Sequence, residues 1–209
     1  MAQSAAAAIS GLSERKRRAI QEAGTKVFLR RGYDSASMDL IAAEAGVSKQ
    51  TIYNHFRSKD DLFREIIADI TKSLFGPLSM SEAARSTPAR QLRSFGQDFL
   101  ALQLQPSSLA LHRLVIAASA RFPGLGAELF AVGPGRLIRV LADYLRMETK
   151  RGRLAVDDPE RAAELFIGML SGRVQLRALL GVRKTMSQAE IDSRVDDCVS
   201  DFIALYGEK

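Results

Sequence analysis

The sequence predicts an all-α protein, and three observations predict it. Apolar residues recur every three or four positions along the 209-residue chain and nowhere alternate as in a half-buried strand. Helix starts and stops are spelled at short intervals, with Ser or Asp where a helix opens, Pro at first helical positions and Gly after last turns. The length exceeds what a small N-terminal three-helix unit needs, so a second helical domain of about 140 residues is expected after it.

Residues 1–12, MAQSAAAAISGL, are short and small with no cationic n-region, and read as a disordered arm rather than a signal peptide. A helix follows over 13–31, with Ile20, Ala23, Val27 and Phe28 at helical spacing and Gly32 closing it. Ser37 is a good N-cap for a short helix with the stripe Leu40, Ile41 and Ala45, and Gly46 ends it in the left-handed conformation. Val47 plugs the core, Ser48 caps the next helix, and Ile52 and Phe56 lie four apart on its buried side. Ser58, with Asp61 three residues on, resembles a capping box that opens a helix over Lys59–Phe75, and a polar stretch runs from there to Pro88. Further helices are expected at about 88–104, 108–121, 124–132, 134–152, 159–180 and 187–206. Asp158 and Pro159 make an N-cap and first-position pair with Glu160 beside them, a helix start rather than a metal site, and Asp192 and Asp196 share one polar, solvated face. The organisation is thus an arm (1–12), a helix-turn-helix domain (13–58) and a larger helical domain (59–209), with no fixed-period repeat.

The helix capped by Ser48 leaves Lys49, Gln50, Thr51, Tyr53, Asn54 and His55 outward. Each can hydrogen-bond a phosphate or a base edge, and the first three stand at a helix N-terminus, where backbone N–H groups and the dipole favour anions. A helix-turn-helix lays such a recognition helix in the major groove, so double-stranded DNA is the expected partner, with Ser37 and Ser48 counted in the DNA-facing set. Lys59, a cation in a first turn, opposes the local dipole and reads as a phosphate contact, as does the cluster Arg15, Lys16, Arg17 and Arg18 at the expected start of the first helix. The net charge of +6 agrees, because 10 Lys or Arg stand against 5 Asp or Glu through Lys59 and the remainder is nearly neutral.

Other classes have little material. There are two histidines, one of them on the expected DNA surface, and nothing resembles a nucleophile with its base, a phosphate-cradling loop or a metal cluster, so no enzyme activity, metal or cofactor is expected. The single cysteine, Cys198, excludes an internal disulfide framework and suits the cytoplasm; it lies in the apolar stripe Ile191, Val195, Cys198, Phe202 and Leu205 as a packed residue. No apolar run approaches a membrane span, and no membrane partner is expected.

The run AGTKVFLRRGYDSASMDLIAAEAGVSKQTIYNHFRSKDDLF resembles the DNA-binding domain of TetR-type transcriptional regulators over about residues 13–63. The resemblance is carried by Ala23, Phe28, Gly32, Tyr33, Ile41, Ala42, Gly46, Val47, Ser48, Thr51, Ile52, Tyr53, His55, Phe56, Lys59 and Leu62. It implies that Lys49, Gln50 and Tyr53 approach base edges while Thr51, His55 and Lys59 hold phosphates. Two positions depart from it. Gly24 stands where Ala is usual, at a cost of about 1 kcal/mol unless close packing needs it, and Met38 stands where Thr or Val is common. The stretches RLVIAASARFPGLGAELFAVGPGR and GRLAVDDPERAAELFIGML look like the C-terminal domain of the AefR-like subgroup.

That resemblance implies a homodimer formed by packing the two C-terminal helices into a four-helix bundle, with the broad apolar face of Ala162, Leu165, Phe166, Met169, Leu170, Leu176, Leu179 and Leu180 as its material, while Gly168 and Gly172 permit close backbone approach. A buried core helix within one subunit would look the same. It also implies a pocket for a small apolar effector among Phe95, Phe99, Phe122, Phe130, Tyr144 and Phe166, with His112 orienting a polar group. A plain helical core, holding a satisfied internal histidine, is the other reading of those residues. Family habit implies a repressor released from a palindromic operator by its effector, often beside an efflux pump.

Overall fold

The computed structural model describes residues 2–75, 86–182 and 186–207. They form α1 (Ala2–Arg31), α2 (Met38–Ala45), α3 (Lys49–His55), α4 (Lys59–Phe75), α5 (Pro88–Gln103), α6 (Pro106–Ala118), α7 (Pro123–Val132), α8 (Pro134–Lys150), α9 (Pro159–Leu179) and α10 (Gln188–Tyr206). Among the described residues there is no strand, only an isolated antiparallel bridge between Leu154 and Gly207. The polar stretch expected after α4 lies, over 76–85, outside the described residues. The chain divides into two compact units: Met1–Ile70 with Leu114–Gly126, and Thr71–Arg113 with Ala127–Lys209.

In the first unit α1 packs on α2 and α3 around Ile20, Phe28, Ile41, Ile52, Phe56, Leu62 and Phe63, all buried. One expectation is corrected at once: α1 begins at Ala2, so the segment expected as an arm is helical. Ala5–Ala8 are the best helix formers available, which a reading based on low complexity undervalues. Arg15, Lys16, Arg17 and Arg18 therefore lie mid-helix, where the dipole argument for an anionic partner does not apply. Gly24 is accounted for by close packing, since a Cβ there would stand 2.7 Å from Ile66 Cδ1 and 3.4 Å from Leu62 Cδ2. Met38 is buried, its thioether spent on the core.

The same unit includes the end of α6 and the start of α7. Phe122, expected in an effector pocket, instead packs edge-on against Tyr33 with ring centroids 4.7 Å apart and lies 5.9 Å from the ring of Phe63. Phe63 in turn meets Phe28 at 4.9 Å. Aromatic rings gain most in such edge-to-face clusters, so Phe122 belongs to the core of the first unit.

In the second unit α8 packs on α9, and α5 on α9 and α10, around Leu92, Phe95, Phe99, Leu141, Phe166, Leu170, Val195 and Phe202. Asp158 caps α9 by accepting from Arg161 N, as its place before Pro159 predicts, and Ser187 with Glu190 forms a full capping box on α10. Asp192 and Asp196 do more than face solvent, since they bind Gln97 and Arg93 of α5 at 2.7 and 2.5 Å. Cys198 is buried, and burial pushes its thiol pKa up despite nearby Arg194. Less thiolate at a given pH means slower chemistry, so iodoacetamide at pH 8 should label Cys198 far more slowly in the native protein than after unfolding.

Glu148, fully buried on α8, ties the chain after that helix. Its carboxylate meets Arg151 at 3.1 Å and Arg153 at 2.6 Å, and Arg153 also donates to the Ser86 carbonyl. Glu148→Gln keeps the volume but leaves two guanidinium groups without their counter-charge. Because both are partly exposed, the expected loss is about 2 kcal/mol, below the full cost of breaking a buried pair, and urea unfolding would measure it.

α9 is kinked. Gly172 sits at φ 37, ψ −135, far from helical values. The carbonyls of Met169 and Leu170, just before the break, accept from Arg194 of α10, whose Nη2 is 2.5 Å from Met169 O and whose Nε is 2.6 Å from Leu170 O. A Cβ at position 172 would stand 2.6 Å from that Nη2, so the kink, the glycine and the arginine require one another.

Candidate nucleic-acid interface

The helix-turn-helix is built by local hydrogen bonds. Ser37 Oγ accepts from Leu40 N at 3.2 Å to start α2, the chain turns through Gly46, and Ser48 Oγ accepts from Thr51 N at 3.1 Å to start α3. Ile52 and the following Phe56 anchor α3 in the core. The opposite face is exposed and carries Lys49, Gln50, Tyr53 and Asn54. Gln50 Nε2 donates to Asn54 Oδ1 at 3.0 Å, pre-aligning two amides that can each offer a donor and an acceptor. Lys49 Nζ lies 3.0 Å from Asp39 of α2, and that hydrogen bond raises its pKa.

The other sequence-predicted residues divide. Ser37 and Ser48 serve as caps, and Thr51 Oγ1 is 2.8 Å from Ser48 Oγ at the α3 N-terminus. His55 closes α3, half-buried, while its carbonyl accepts from Arg17 at 3.1 Å. Lys59, expected at a phosphate, has its Nζ donating to the carbonyls of Tyr33 and Ala36 at 3.0 and 2.9 Å and standing 4.3 Å over the Tyr33 ring. These contacts within the chain account for a cation in the first turn of α4 without an external phosphate. Arg17 is likewise a brace, bound to Glu65 at 2.5 Å and lying over Phe56, whereas Arg15, Lys16 and Arg18 are exposed.

Sequence reasoning missed the group around Tyr33. Its hydroxyl hydrogen-bonds Asp60, and burial together with that carboxylate pushes its pKa well above the usual value. Arg121 stands 5.3 Å over the same ring and pairs with Asp34 at 3.2 Å. Together with Lys59, these groups fix the turn between α1 and α2. No local pattern relates position 121 to position 33.

The residues expected around an effector do not all gather. Phe95, Phe99, Tyr144 and Phe166 share the core of the second unit, with Phe95 and Phe99 stacked at 6.1 Å. Phe122 belongs to the first unit, and Phe130 is 54% exposed, where no enclosed pocket can use it. His112 Nδ1 is 2.7 Å from Ser108 O, and its other nitrogen is 3.5 Å from Gln175 Nε2, the satisfied internal arrangement. Tyr144 Oη and Gln103 Oε1 are buried polar atoms without a hydrogen-bond partner among the described residues. Burial pushes the Tyr144 pKa up to about 12, so its hydroxyl is a neutral donor at physiological pH. Among the described residues no cluster of three or more His, Cys, Asp or Glu can hold a metal, and no helix is long and apolar enough to cross a membrane.

A helix-turn-helix whose second helix presents an amide-rich face, joined to a helical unit with its own core, defines a DNA-binding transcriptional regulator. Comparison with known proteins agrees. Residues 20–66 match the bacterial regulatory proteins of the tetR family, and residues 90–208 match the AefR-like transcriptional repressor C-terminal domain. The chain belongs to the TetR family, whose members are transcriptional regulators and not enzymes. It is 30% identical to the transcriptional repressor BepR of Brucella suis biovar 1 over 75% of this chain and 77% of that protein. The structure of the flavonoid-responsive regulator FrrA is 30% identical, with a TM-score of 0.83, covering 94% of this chain and 99% of that one. Similarity to the transcriptional regulator YhgD of Bacillus subtilis (strain 168) reaches 42% but is confined to 59 residues; it spans 28% of this chain and about a third, 31%, of that protein's length.

Proposed function

We propose that this chain is a ligand-responsive repressor that binds a palindromic operator as a dimer and releases it when a small apolar effector binds. The carrying observation is the exposed face of α3, where Lys49, Gln50, Tyr53 and Asn54 stand together on a helix anchored from behind by Ile52 and Phe56. In this reading Lys49, Gln50 and Tyr53 meet base edges, while Thr51, His55 and the helix starts at Ser37 and Ser48 meet phosphates. Lys49 must exchange Asp39 for DNA, an exchange of one anion for another that costs little at an exposed site.

Dimerisation is supported by the apolar surface at the C-terminal end of α9, since Leu176 and Leu180 are 57% and 69% exposed. An effector is supported by Tyr144 Oη, a buried polar atom without a partner whose residue shares its core with Phe95, Phe99 and Phe166. The flavonoid response of FrrA favours an aromatic molecule. The protein then acts in the cytoplasm, with a neighbouring efflux gene as the expected target.

Selection of bound duplexes from a random library, followed by calorimetry with aromatic ligands in the presence and absence of the enriched operator, tests the reading. An enriched inverted repeat whose binding weakens ligand affinity, and is weakened by it to the same factor, supports it. No enriched sequence, or identical ligand affinities with and without operator, defeats it.

A further inference from the structure

Asp39 stands exposed in the first turn of α2, and both of its carboxylate oxygens reach Lys49 Nζ, at 3.0 and 3.1 Å. Lys49 is the first residue of α3, so the pair joins the start of one helix of the helix-turn-helix to the start of the other. A carboxylate is out of place on a surface that meets phosphates. The other acid of α2, Glu44, is bound to Arg30 of α1 at 2.6 Å, and α3 has none. Helix stability explains an acid in a first turn. It does not explain why this one is spent on the cation of the exposed α3 face. An exposed ion pair of this kind contributes little to stability and opens readily.

We infer that Asp39 is a specificity-determining residue, which accepts a hydrogen bond from a base amino group, cytosine N4, in the major groove once Lys49 has turned to the DNA. When Lys49 exchanges Asp39 for DNA, the carboxylate stays at the same interface without its cation. Phosphates repel it. The donors that a duplex offers it in the major groove are the amino groups of cytosine and adenine, and of these a carboxylate suits cytosine N4, whereas adenine presents N6 and N7 together to an amide. Gln50 and Asn54 already supply amides on this face. A sequence with cytosine in reach of Asp39 therefore satisfies the carboxylate, and any other leaves an unpaired anion beside the phosphates. Such a repulsive element separates an operator from the rest of the genome, because attraction by Lys49 alone would favour every duplex alike.

This inference rests on the base-reading role proposed above for α3, and the test separates them. Full-length wild type and D39N each select bound duplexes from a random library, with circular dichroism confirming that both fold. Asn keeps the shape and can still accept from Lys49, but it carries no charge. The wild type should enrich a C·G pair at a position where D39N loses that preference or exchanges it for A·T, the pair an amide reads, while the other preferred bases persist. On a duplex without the enriched sequence, D39N should bind about tenfold more tightly, with a slope of log K against log salt steeper by about one unit, because the lone wild-type carboxylate takes up the cation that one phosphate releases. A folded D39N with wild-type preference at every position overturns the inference and leaves the reading of α3 standing. A wild type that enriches no sequence overturns both. Should D39N unfold, D39S replaces it: loss of the C·G preference supports the contact, and wild-type preference at every position overturns it.

Discussion

Replacing Gln50 and Tyr53 together by alanine is expected to abolish operator preference while leaving a weak, salt-sensitive affinity for any duplex. Both side chains project from the exposed face of α3, and neither is needed for the core behind it, so the variant should unfold at the wild-type midpoint. Each good base contact contributes about 1–3 kcal/mol of discrimination, so losing two should bring specific binding down by roughly two to four orders of magnitude towards the non-specific level. Lys59→Ala is the informative contrast. With its ammonium on the Tyr33 and Ala36 carbonyls, its loss should lower stability and leave the slope of log K against log salt unchanged. A slope flattened by about one unit would instead return Lys59 to the phosphates. Binding titrations at several salt concentrations measure both effects, and a Gln50/Tyr53 variant that keeps operator preference would move the reading surface elsewhere.

The second large effect is expected at the α9 kink. Arg194→Ala removes two charge-assisted hydrogen bonds from the Met169 and Leu170 carbonyls and should cost about 3 kcal/mol. Gly172→Ala should cost about 2 kcal/mol, because a side chain is strained at that φ and its Cβ would run into Arg194 Nη2. The double variant is the sharper test. With the guanidinium gone and a helix-forming residue at 172, α9 can close its own ladder across the break, so the combined loss should fall short of the sum by about 2 kcal/mol. Strict additivity in urea unfolding would mean that the kink and the arginine are independent.

What was legible in the sequence is what local chemistry decides. The caps at Ser37, Ser48 and Asp158 act across three residues, and each stands where its residue type predicts. The outward face of α3 follows from its two buried anchors, because a helix that hides Ile52 and Phe56 must show Gln50 and Tyr53. What was not legible is decided across the chain. The dipole argument for Lys59 is sound for an isolated helix, but two carbonyls from the turn after α1 answer it. Phe122 shares the helical spacing of the second unit's apolar residues, yet its ring partners lie some 60–90 positions earlier at Tyr33 and Phe63. Gly172 advertises close approach, and only its backbone angles reveal a break in the helix.

The membership of Leu114–Gly126 in the first unit has an evolutionary consequence. The DNA-reading head is not a cassette. A gene fragment ending after α4 would encode Tyr33 and Phe63 without the Phe122 ring that covers them, and Asp34 without Arg121. A crossover that exchanged only the front of the gene would join a new head to a foreign covering turn. Successful shuffling needs either two crossovers or a conserved aromatic at the turn, so the two units of this architecture should descend together far more often than domains joined by a simple linker.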